Sequence, residues 1–193
     1  MTLLKTMKRH LDKAYLMVIS PYKRANWLRK RAYHVGNNVL LVTTSFGGEP
    51  YLLNIGDNVT VALDAKFVTH DASVFHVKRA IGYNRYLDKV GPITLRNNCF
   101  VGAYSVLLPN TSVGENSILA AGSVLTKHIP DNEVWGGNPA KYIMTTEEYA
   151  AKLVNANEQL KYPWIDENGK IEKDFNVLVK KRQKYYFDKK AEK

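Results

Sequence analysis

Residues 95–130 read LRNNCF VGAYSV LLPNTS VGENSI LAAGSV LTKHIP, and this stretch decides the fold. A bulky aliphatic residue recurs at every sixth position: Leu95, Val101, Leu107, Val113, Leu119 and Leu125. The fourth residue after each is Cys99, Ser105, Thr111, Ser117, Ser123 and Ile129, small in all but the last. A six-residue period with one aliphatic and one small residue is typical of a parallel β-helix. About three hexapeptides then form one turn of a three-sided prism, and both residues point inward.

A shorter block of the same period precedes this stretch, at Ile55, Val61 and Phe67, and it fails at Ser73. The interval from Ser73 to Leu95 is not a multiple of six, so the two blocks are out of phase. We therefore predict a loop, at about residues 74–92, that leaves the prism. Loops on a rigid scaffold often carry binding residues. The predicted β-helix domain spans residues 35–143.

Helical segments are predicted on both sides of this domain. Apolar residues at spacings of three and four predict a helix over residues 3–19, and Ser20-Pro21 predicts the start of a second one. These helices form a basic N-terminal segment, residues 1–34. Residues 144–193 form a C-terminal helical segment, which Thr145 and Glu148 begin as a capping box.

The net charge of +10 is unevenly distributed. Residues 1–34 carry nine Lys and Arg against one acidic residue, whereas residues 35–143 are neutral. A neutral middle without a nucleic-acid-binding motif argues against nucleic acid as a partner. The basic segment, residues 1–31, is instead expected to contact anionic lipid, or else to be a packed cap with a solvated basic face.

Cysteine content and hydrophobicity exclude several classes of protein. A single cysteine, Cys99, excludes a disulfide framework and a multi-thiolate zinc site, and its repeat position predicts an inert buried thiol. The longest apolar run near the start, residues 16–19, is too short for a membrane span or a signal peptide. We therefore expect a cytoplasmic protein with no bound metal. The basic N-terminal segment is expected to place it at the inner face of the membrane.

His70 is the strongest candidate for proton transfer. Histidine is the natural general base near neutral pH, and the chain has five. His70 follows the inward Phe67 by three residues, which places it on the outside of the coil beside the predicted loop. Its position in Thr69-His70-Asp71, where the repeat is interrupted, favours a functional role over that of a surface residue.

The repeats and the sequence Gly137-Asn138-Pro139-Ala140-Lys141 resemble those of the hexapeptide-repeat (left-handed β-helix) acyltransferases. Residues 46–60 and Val68-Thr69-His70-Asp71 resemble the branch that O-acetylates capsular or O-antigen polysaccharides. The resemblance covers about residues 28–150. It implies a mainly β fold and a homotrimer with acetyl-CoA between subunits. It also implies an acetyltransferase acting on a sugar hydroxyl of a bacterial surface polysaccharide or its precursor.

The resemblance assigns the site residues. His70 takes the place of the catalytic base, and Asp71 is either its orienting partner or a buried corner residue. The residues implied to bind the cofactor are Ala103, Ala121, Gly122, Ser123, Thr126, Lys127, Trp135, Asn138, Pro139 and Lys141. Lys127 and Lys141 would meet the adenosine phosphates, and Trp135 would wall the acyl tunnel or cover the last coil.

The predicted loop supplies the acceptor-binding candidates, which are His76, Tyr83, Asn84 and Arg85. His76 is also an alternative base, since it lies six residues from His70. Three other functions remain open at this stage. They are acetylation of a small acceptor such as a simple sugar or serine, a zinc hydratase of the γ-carbonic-anhydrase kind, and a non-catalytic assembly protein.

Overall fold

The computed structural model describes residues 2–159 and 162–187. The chain divides after Glu147 into two compact units. The first unit contains the N-terminal helices and the three sheets, and the second contains most of the C-terminal helical segment.

Three sheets of short parallel strands form the first unit, and the chain visits them in rotation. The first sheet consists of β1 (His34–Val35), β3 (Leu53–Ile55), β6 (Ile93–Leu95), β9 (Thr111–Val113) and β12 (His128–Ile129). The second contains β2 (Leu40–Leu41), β4 (Thr60–Val61), β7 (Phe100–Val101), β10 (Ile118–Leu119), β13 (Glu133–Gly136) and an antiparallel edge strand, β14 (Lys141–Thr145). The third contains β5 (Lys66–Phe67), β8 (Val106–Leu107) and β11 (Val124–Leu125).

The core is built as the six-residue period predicts. Each aliphatic repeat residue points inward and pairs with its equivalent in the next coil, as Val101 does with Leu119. The small residues Ser105, Thr111, Ser117 and Ser123 are buried beside them. Burying one such aliphatic side chain contributes about 1.5–3 kcal/mol, so the stacked rows stabilise the prism. The parallel β-helix is confirmed.

The two blocks of repeats are in register in space although they are out of phase in sequence. Ile55 pairs with Leu95 and Phe67 with Leu107, forty residues later in each case, whereas Leu95 pairs with Val113 after eighteen. One coil therefore carries an insertion of 22 residues. We call residues 71–92 the inserted segment. Part of it is a short helix, α3 (Val74–Ala80), where the sequence predicted a loop.

Asparagines mark one corner of the prism. Asn38, Asn58, Asn98, Asn116 and Asn132 all have positive φ angles, which asparagine tolerates better than most residues. Their side chains form hydrogen bonds between coils: Asn38 Nδ2 donates to Asn58 Oδ1 at 2.9 Å and Asn98 Nδ2 to Asn116 Oδ1 at 2.7 Å.

Both predicted N-terminal helices are present as α1 (Thr2–Val18) and α2 (Pro21–Arg29). Leu16 of α1 and Leu28 of α2 belong to the same buried core as the coils. Arg24 fixes this arrangement, because its guanidinium donates to the carbonyl oxygens of Leu16 at 2.8 Å and Val42 at 2.5 Å. The basic segment is thus part of the first compact unit.

The second unit contains α5 (Phe175–Phe187) and most of α4 (Thr146–Gln159). Its centre is an aromatic cluster formed by Tyr162, Trp164, Tyr185 and Tyr186. Among the described residues, every helix is too short or too polar to cross a bilayer.

Candidate active site

His70 lies where the chain leaves the prism. Phe67 ends β5 with its side chain in the core, and Thr69 is the last fully buried residue before the inserted segment begins. His70 then faces outward and is partly exposed. An antiparallel bridge joins His70 to Val90, so the returning end of the inserted segment runs beside it.

Glu49 contacts the Nδ1 side of the His70 ring. Glu49 Oε1 lies 3.2 Å from His70 Nδ1, and Glu49 Oε2 accepts a hydrogen bond from Thr69 Oγ1 at 2.7 Å. The Glu49 backbone N–H donates in turn to Thr69 Oγ1 at 3.3 Å. Both carboxylate oxygens are therefore held, and the contact with Nδ1 favours the tautomer in which Nδ1 carries the proton and Nε2 is free to accept one.

The loop that carries Glu49 passes close to the neighbouring coil. Gly47 has φ +72°, and a Cβ at this position would lie 2.8 Å from the Phe67 carbonyl oxygen. Only glycine fits both the positive φ angle and the close approach to the Phe67 carbonyl. Three residues later, Pro50 begins a short 3-10 helix, Pro50–Leu52. Glu49 is not among the residues that the sequence predicted for the site. The sequence feature that could have indicated Glu49 is Gly47-Gly48-Glu49-Pro50, because this turn lies one coil before Thr69-His70.

Asp88 of the inserted segment lies on the other side of the ring. Its Oδ1 is 3.0 Å from His70 Nε2, but the two atoms are not aligned for a hydrogen bond. Oδ1 accepts from the Lys89 backbone N–H at 2.8 Å, and Oδ2 accepts from the Tyr86 hydroxyl. The hydrogen bond from Tyr86, supported by the Lys89 N–H and the nearby His70, lowers the pKa of Asp88.

Asp71 does not occupy the orienting position that the sequence predicted for it. Its Oδ2 accepts a hydrogen bond from Lys89 Nζ at 2.7 Å, and its Oδ1 accepts one from the Ser73 N–H at 2.9 Å. These bonds, that of Lys89 first, hold the pKa of Asp71 far below its usual range. The side chain is also partly exposed, so it is not a buried corner residue. The contact expected of Asp71 is made by Glu49, because the chain turns away from the coil at residue 71.

Two of the four acceptor-binding candidates line one surface depression. Tyr83 and Asn84 line a shallow depression of about 330 Å³ with Phe75, Lys78 and Arg79. His76 and Arg85 are exposed elsewhere on the inserted segment. In the described parts of the chain, the side chains that lie within ion-pair distance of the His70 ring are those of Glu49 and Asp88.

Three of the predicted cofactor residues, Ala103, Ala121 and Gly122, lie where two coils meet. The Gly122 N–H donates to the Ala103 carbonyl oxygen at 2.8 Å, which joins two coils. Gly122 has φ +69° and open space above it, and Ala121 is exposed beside it. Ser123 differs from the others, because its side chain is buried and accepts a hydrogen bond from the Gly137 N–H at 3.1 Å. The Ser123 Oγ is therefore used in a structural hydrogen bond between two parts of the fold.

The remaining candidates lie around the β13–β14 hairpin. The Ala140 N–H donates to the Val124 carbonyl oxygen at 2.8 Å, which holds the hairpin turn next to β11. Asn138, Pro139 and Lys141 are exposed in this hairpin, and Thr126 and Lys127 are exposed directly after β11. Trp135 is half-buried, and its Nε1 donates to Glu133 Oε2 at 2.5 Å.

Cys99 and the possible metal ligands are the other chemically reactive groups of the chain. The Cys99 thiol is buried, as the sequence predicted, and this burial raises its pKa to about 12. Within residues 2–159 and 162–187, no three histidine, cysteine or acidic side chains form a group that could hold a metal ion.

Comparison with known proteins agrees with the repeat analysis. The family model for the bacterial transferase hexapeptide (six repeats) matches residues 92–127. Protein CapG of Staphylococcus aureus is 36% identical over 154 residues, which cover 78% of this chain and 81% of that protein. Galactoside O-acetyltransferase of Escherichia coli (strain K12) is 34% identical over 110 residues, 57% of this chain and 52% of that protein. A solved galactoside acetyltransferase in complex with coenzyme A has the same fold, with a TM-score of 0.55, 22% identity, and coverage of 75% of this chain and 82% of that one.

Proposed function

The chain belongs to the hexapeptide-repeat acyltransferase superfamily, and from this premise we propose that it transfers the acetyl group of acetyl-CoA to a sugar hydroxyl of a bacterial surface polysaccharide or its precursor. The observation that carries the proposal is the contact between Glu49 and His70 Nδ1 at the edge of the coil. A histidine held in this way is suited to act as a general base through Nε2.

The proposed reaction needs one proton acceptor and no acyl-enzyme. His70 Nε2 takes the proton of the acceptor hydroxyl as its oxygen attacks the thioester carbonyl carbon. The carbon–sulfur bond then breaks, and the proton on Nε2 passes to the departing thiolate. The products are the O-acetylated sugar and coenzyme A, and His70 is neutral again. Positioning and general-base assistance lower the barrier.

Acetyl-CoA would lie along the exposed backbone at Ala103, Ala121 and Gly122. The open space above Gly122 supports this placement, because a pantetheine chain needs bare backbone that no side chain covers. Lys127 and Lys141 would supply positive charge for the adenosine phosphates, since lysine acts as a mobile point charge. We also propose the left-handed coil and the homotrimer that the resemblance implies, with the active sites at subunit interfaces.

A direct assay tests the proposal. The purified protein is incubated with acetyl-CoA and a panel of methyl glycosides and oligosaccharides, and acetylated products are detected by mass spectrometry. We expect an acetyl ester on at least one sugar. Hydrolysis of acetyl-CoA alone, or acetylation of serine in preference to every sugar, would reject it. Light scattering tests the trimer, which should have three times the chain mass of 21.9 kDa.

We further propose that the N-terminal helices place the protein on anionic membrane lipid at the inner face of the membrane. Helix α1 exposes Met7, Leu11, Tyr15 and Val18, which are 55%, 63%, 51% and 81% exposed. Their spacings of four, four and three place them on one face, opposite the buried Leu16. Such an apolar face flanked by basic residues is typical of helices that lie in the bilayer interface.

Only part of the positive charge is available for this contact. Arg24 and Arg29 donate to backbone carbonyl oxygens, whereas Lys13, Lys23 and Lys30 are exposed. Each basic residue near an anionic surface contributes about 1 kcal/mol, so apolar insertion must supplement the charge.

Vesicle sedimentation tests the membrane contact. Vesicles of phosphatidylcholine mixed with anionic phosphatidylglycerol should bind the protein, and pure phosphatidylcholine vesicles should not. Leu11→Ser and Lys23→Gln should each weaken binding. Equal binding to both vesicle types would contradict the proposal, as would a change of oligomeric state in Leu11→Ser, which would assign the face to a second copy of the chain.

A further inference from the structure

Asp88 is held in a fixed position beside the proposed catalytic base. The returning end of the inserted segment pairs with the chain around His70: the Asp71 N–H donates to the Lys89 carbonyl oxygen at 2.8 Å, and the Gly91 N–H donates to the Thr69 carbonyl oxygen at 3.0 Å. The ion pair between Lys89 Nζ and Asp71 Oδ2 adds a side-chain link. The position of Asp88 relative to His70 is therefore set by backbone pairing.

The Asp88 carboxylate and His70 Nε2 form a pair of adjacent hydrogen-bond acceptors. Oδ1 lies 3.0 Å from Nε2 without a hydrogen bond between them, and Nε2 has no hydrogen-bond partner within the described residues. Oδ1 receives one hydrogen bond, from the Lys89 N–H, and a carboxylate oxygen can accept two. Each of the two atoms thus retains capacity to accept a hydrogen bond.

We propose that Asp88 selects acceptors that carry a hydroxyl next to the reacting one, that is, sugars with a vicinal diol. This inference rests on the proposed function. The reacting hydroxyl donates to His70 Nε2, and its neighbour donates to Asp88 Oδ1. The two oxygens of a vicinal diol are about as far apart as a hydrogen-bonded pair. This spacing matches the 3.0 Å between Nε2 and Oδ1, so one edge of a sugar ring reaches both atoms.

His70 Nε2 is buried and lies in contact with Asp88 Oδ1 in this structure, so the acceptor must open this contact while the backbone of Asp88 stays in place. A diol replaces that contact with two hydrogen bonds, one to each acceptor atom. A deoxy sugar that lacks the neighbouring hydroxyl makes only the hydrogen bond to Nε2 and leaves the one to Asp88 Oδ1 unmade. A lost hydrogen bond to a charged group is expected to lower kcat/KM by about 10- to 100-fold.

The Tyr86 hydroxyl supports this role. It donates to Asp88 Oδ2 and leaves Oδ1 directed at His70. Tyr86 itself is 82% exposed, so it makes no contribution to the core. Removing the hydroxyl should weaken the orientation of the carboxylate without unfolding the protein, which makes Tyr86→Phe a second, milder variant.

The experiment combines an enzyme variant with a substrate variant. The best methyl glycoside from the panel is identified, its acetylated position is assigned by NMR, and the monodeoxy analogue lacking the adjacent hydroxyl is prepared. We expect the wild type to prefer the diol by about 10- to 100-fold in kcat/KM. In Asp88→Ala the preference should fall below about threefold, because kcat/KM falls for the diol alone. Tyr86→Phe should give an intermediate preference.

The control is Glu167→Gln, which removes one exposed carboxylate of the second unit and should keep the wild-type preference. Thermal unfolding and the KM for acetyl-CoA verify that each variant is folded. An unchanged diol preference in Asp88→Ala would overturn the inference. So would an equal rise in kcat/KM for both acceptors, which would make Asp88 an obstruction only. If the wild type acetylates no glycoside, the proposed function itself fails.

Discussion

Glu49 Oε1 lies 3.2 Å from His70 Nδ1, although 21 residues separate them in sequence. The contact exists because the loop around Gly47 runs one coil before Thr69-His70 in the prism. Thr69 Oγ1 completes the arrangement by donating to the other carboxylate oxygen of Glu49. The carboxylate that positions the proposed base thus comes from the stacking of coils, and not from the residue next to the histidine.

Replacing Glu49 should slow the chemical step. In Glu49→Gln the contact with Nδ1 is no longer charged, and the amide can stabilise the wrong tautomer of His70. We expect kcat to fall by about 10²-fold, part of the range attributed to general-base catalysis, with the KM for acetyl-CoA unchanged. Glu167→Gln is the matched control, because it makes the same change at an exposed carboxylate of the second unit. An equal loss of kcat in both variants would contradict the positioning role.

Lys127 should act on the nucleotide end of the cosubstrate only. Lys127→Ala should raise the KM for acetyl-CoA by about tenfold, the size of one charge-assisted hydrogen bond. It should leave kcat/KM for acetyl-pantetheine unchanged, because that donor lacks the adenosine phosphates. Steady-state kinetics with both donors measures the difference. An equal loss of kcat/KM with both donors would contradict a contact between Lys127 and the adenosine phosphates.

The stacked aliphatic rows should dominate stability. Leu119→Ala removes a fully buried side chain between Val101 and the last coil and should lower the free energy of unfolding by about 2–5 kcal/mol. Thr94→Ala alters a side chain on the outer face of β6. It should change the free energy of unfolding by less than about 0.5 kcal/mol. Urea denaturation followed by circular dichroism gives both values. Similar values for the two variants would contradict the assignment of inward and outward positions.

The ion pair between Asp71 and Lys89 should make stability depend on pH. Hydrogen bonds from Lys89 and Ser73 lower the pKa of Asp71 in the folded protein, so its ionised form stabilises that state above the unfolded pKa of about 3.9. This stabilisation is lost progressively as the pH falls toward the lowered pKa. Asp71→Asn should therefore have a lower Tm than the wild type at pH 7, and the difference should shrink from pH 5 downward. A constant difference would contradict the linkage.

The repeat period was enough to predict the parallel β-helix, because inward residues of a narrow prism are restricted to aliphatic and small side chains. It also located the insertion after Phe67 and, through the resemblance, His70. The α3 helix was missed, since a seven-residue helix with few buried residues has too short a pattern to detect. Glu49 and Asp88 could not be predicted, because their contacts with His70 depend on how a neighbouring coil and a returning segment are placed in space.

The central claim is that His70 is the base of an acetyl transfer to a sugar hydroxyl. The most direct measurement is the rate of acetyl-CoA-dependent release of coenzyme A with the best glycoside acceptor, for the wild type, His70→Ala and His128→Ala. His128 is the control because it lies on the outer face of β12 and contacts Ser112. We predict that kcat falls by about 10²- to 10⁴-fold in His70→Ala and stays within about threefold of the wild type in His128→Ala. Near wild-type turnover by His70→Ala would contradict the account.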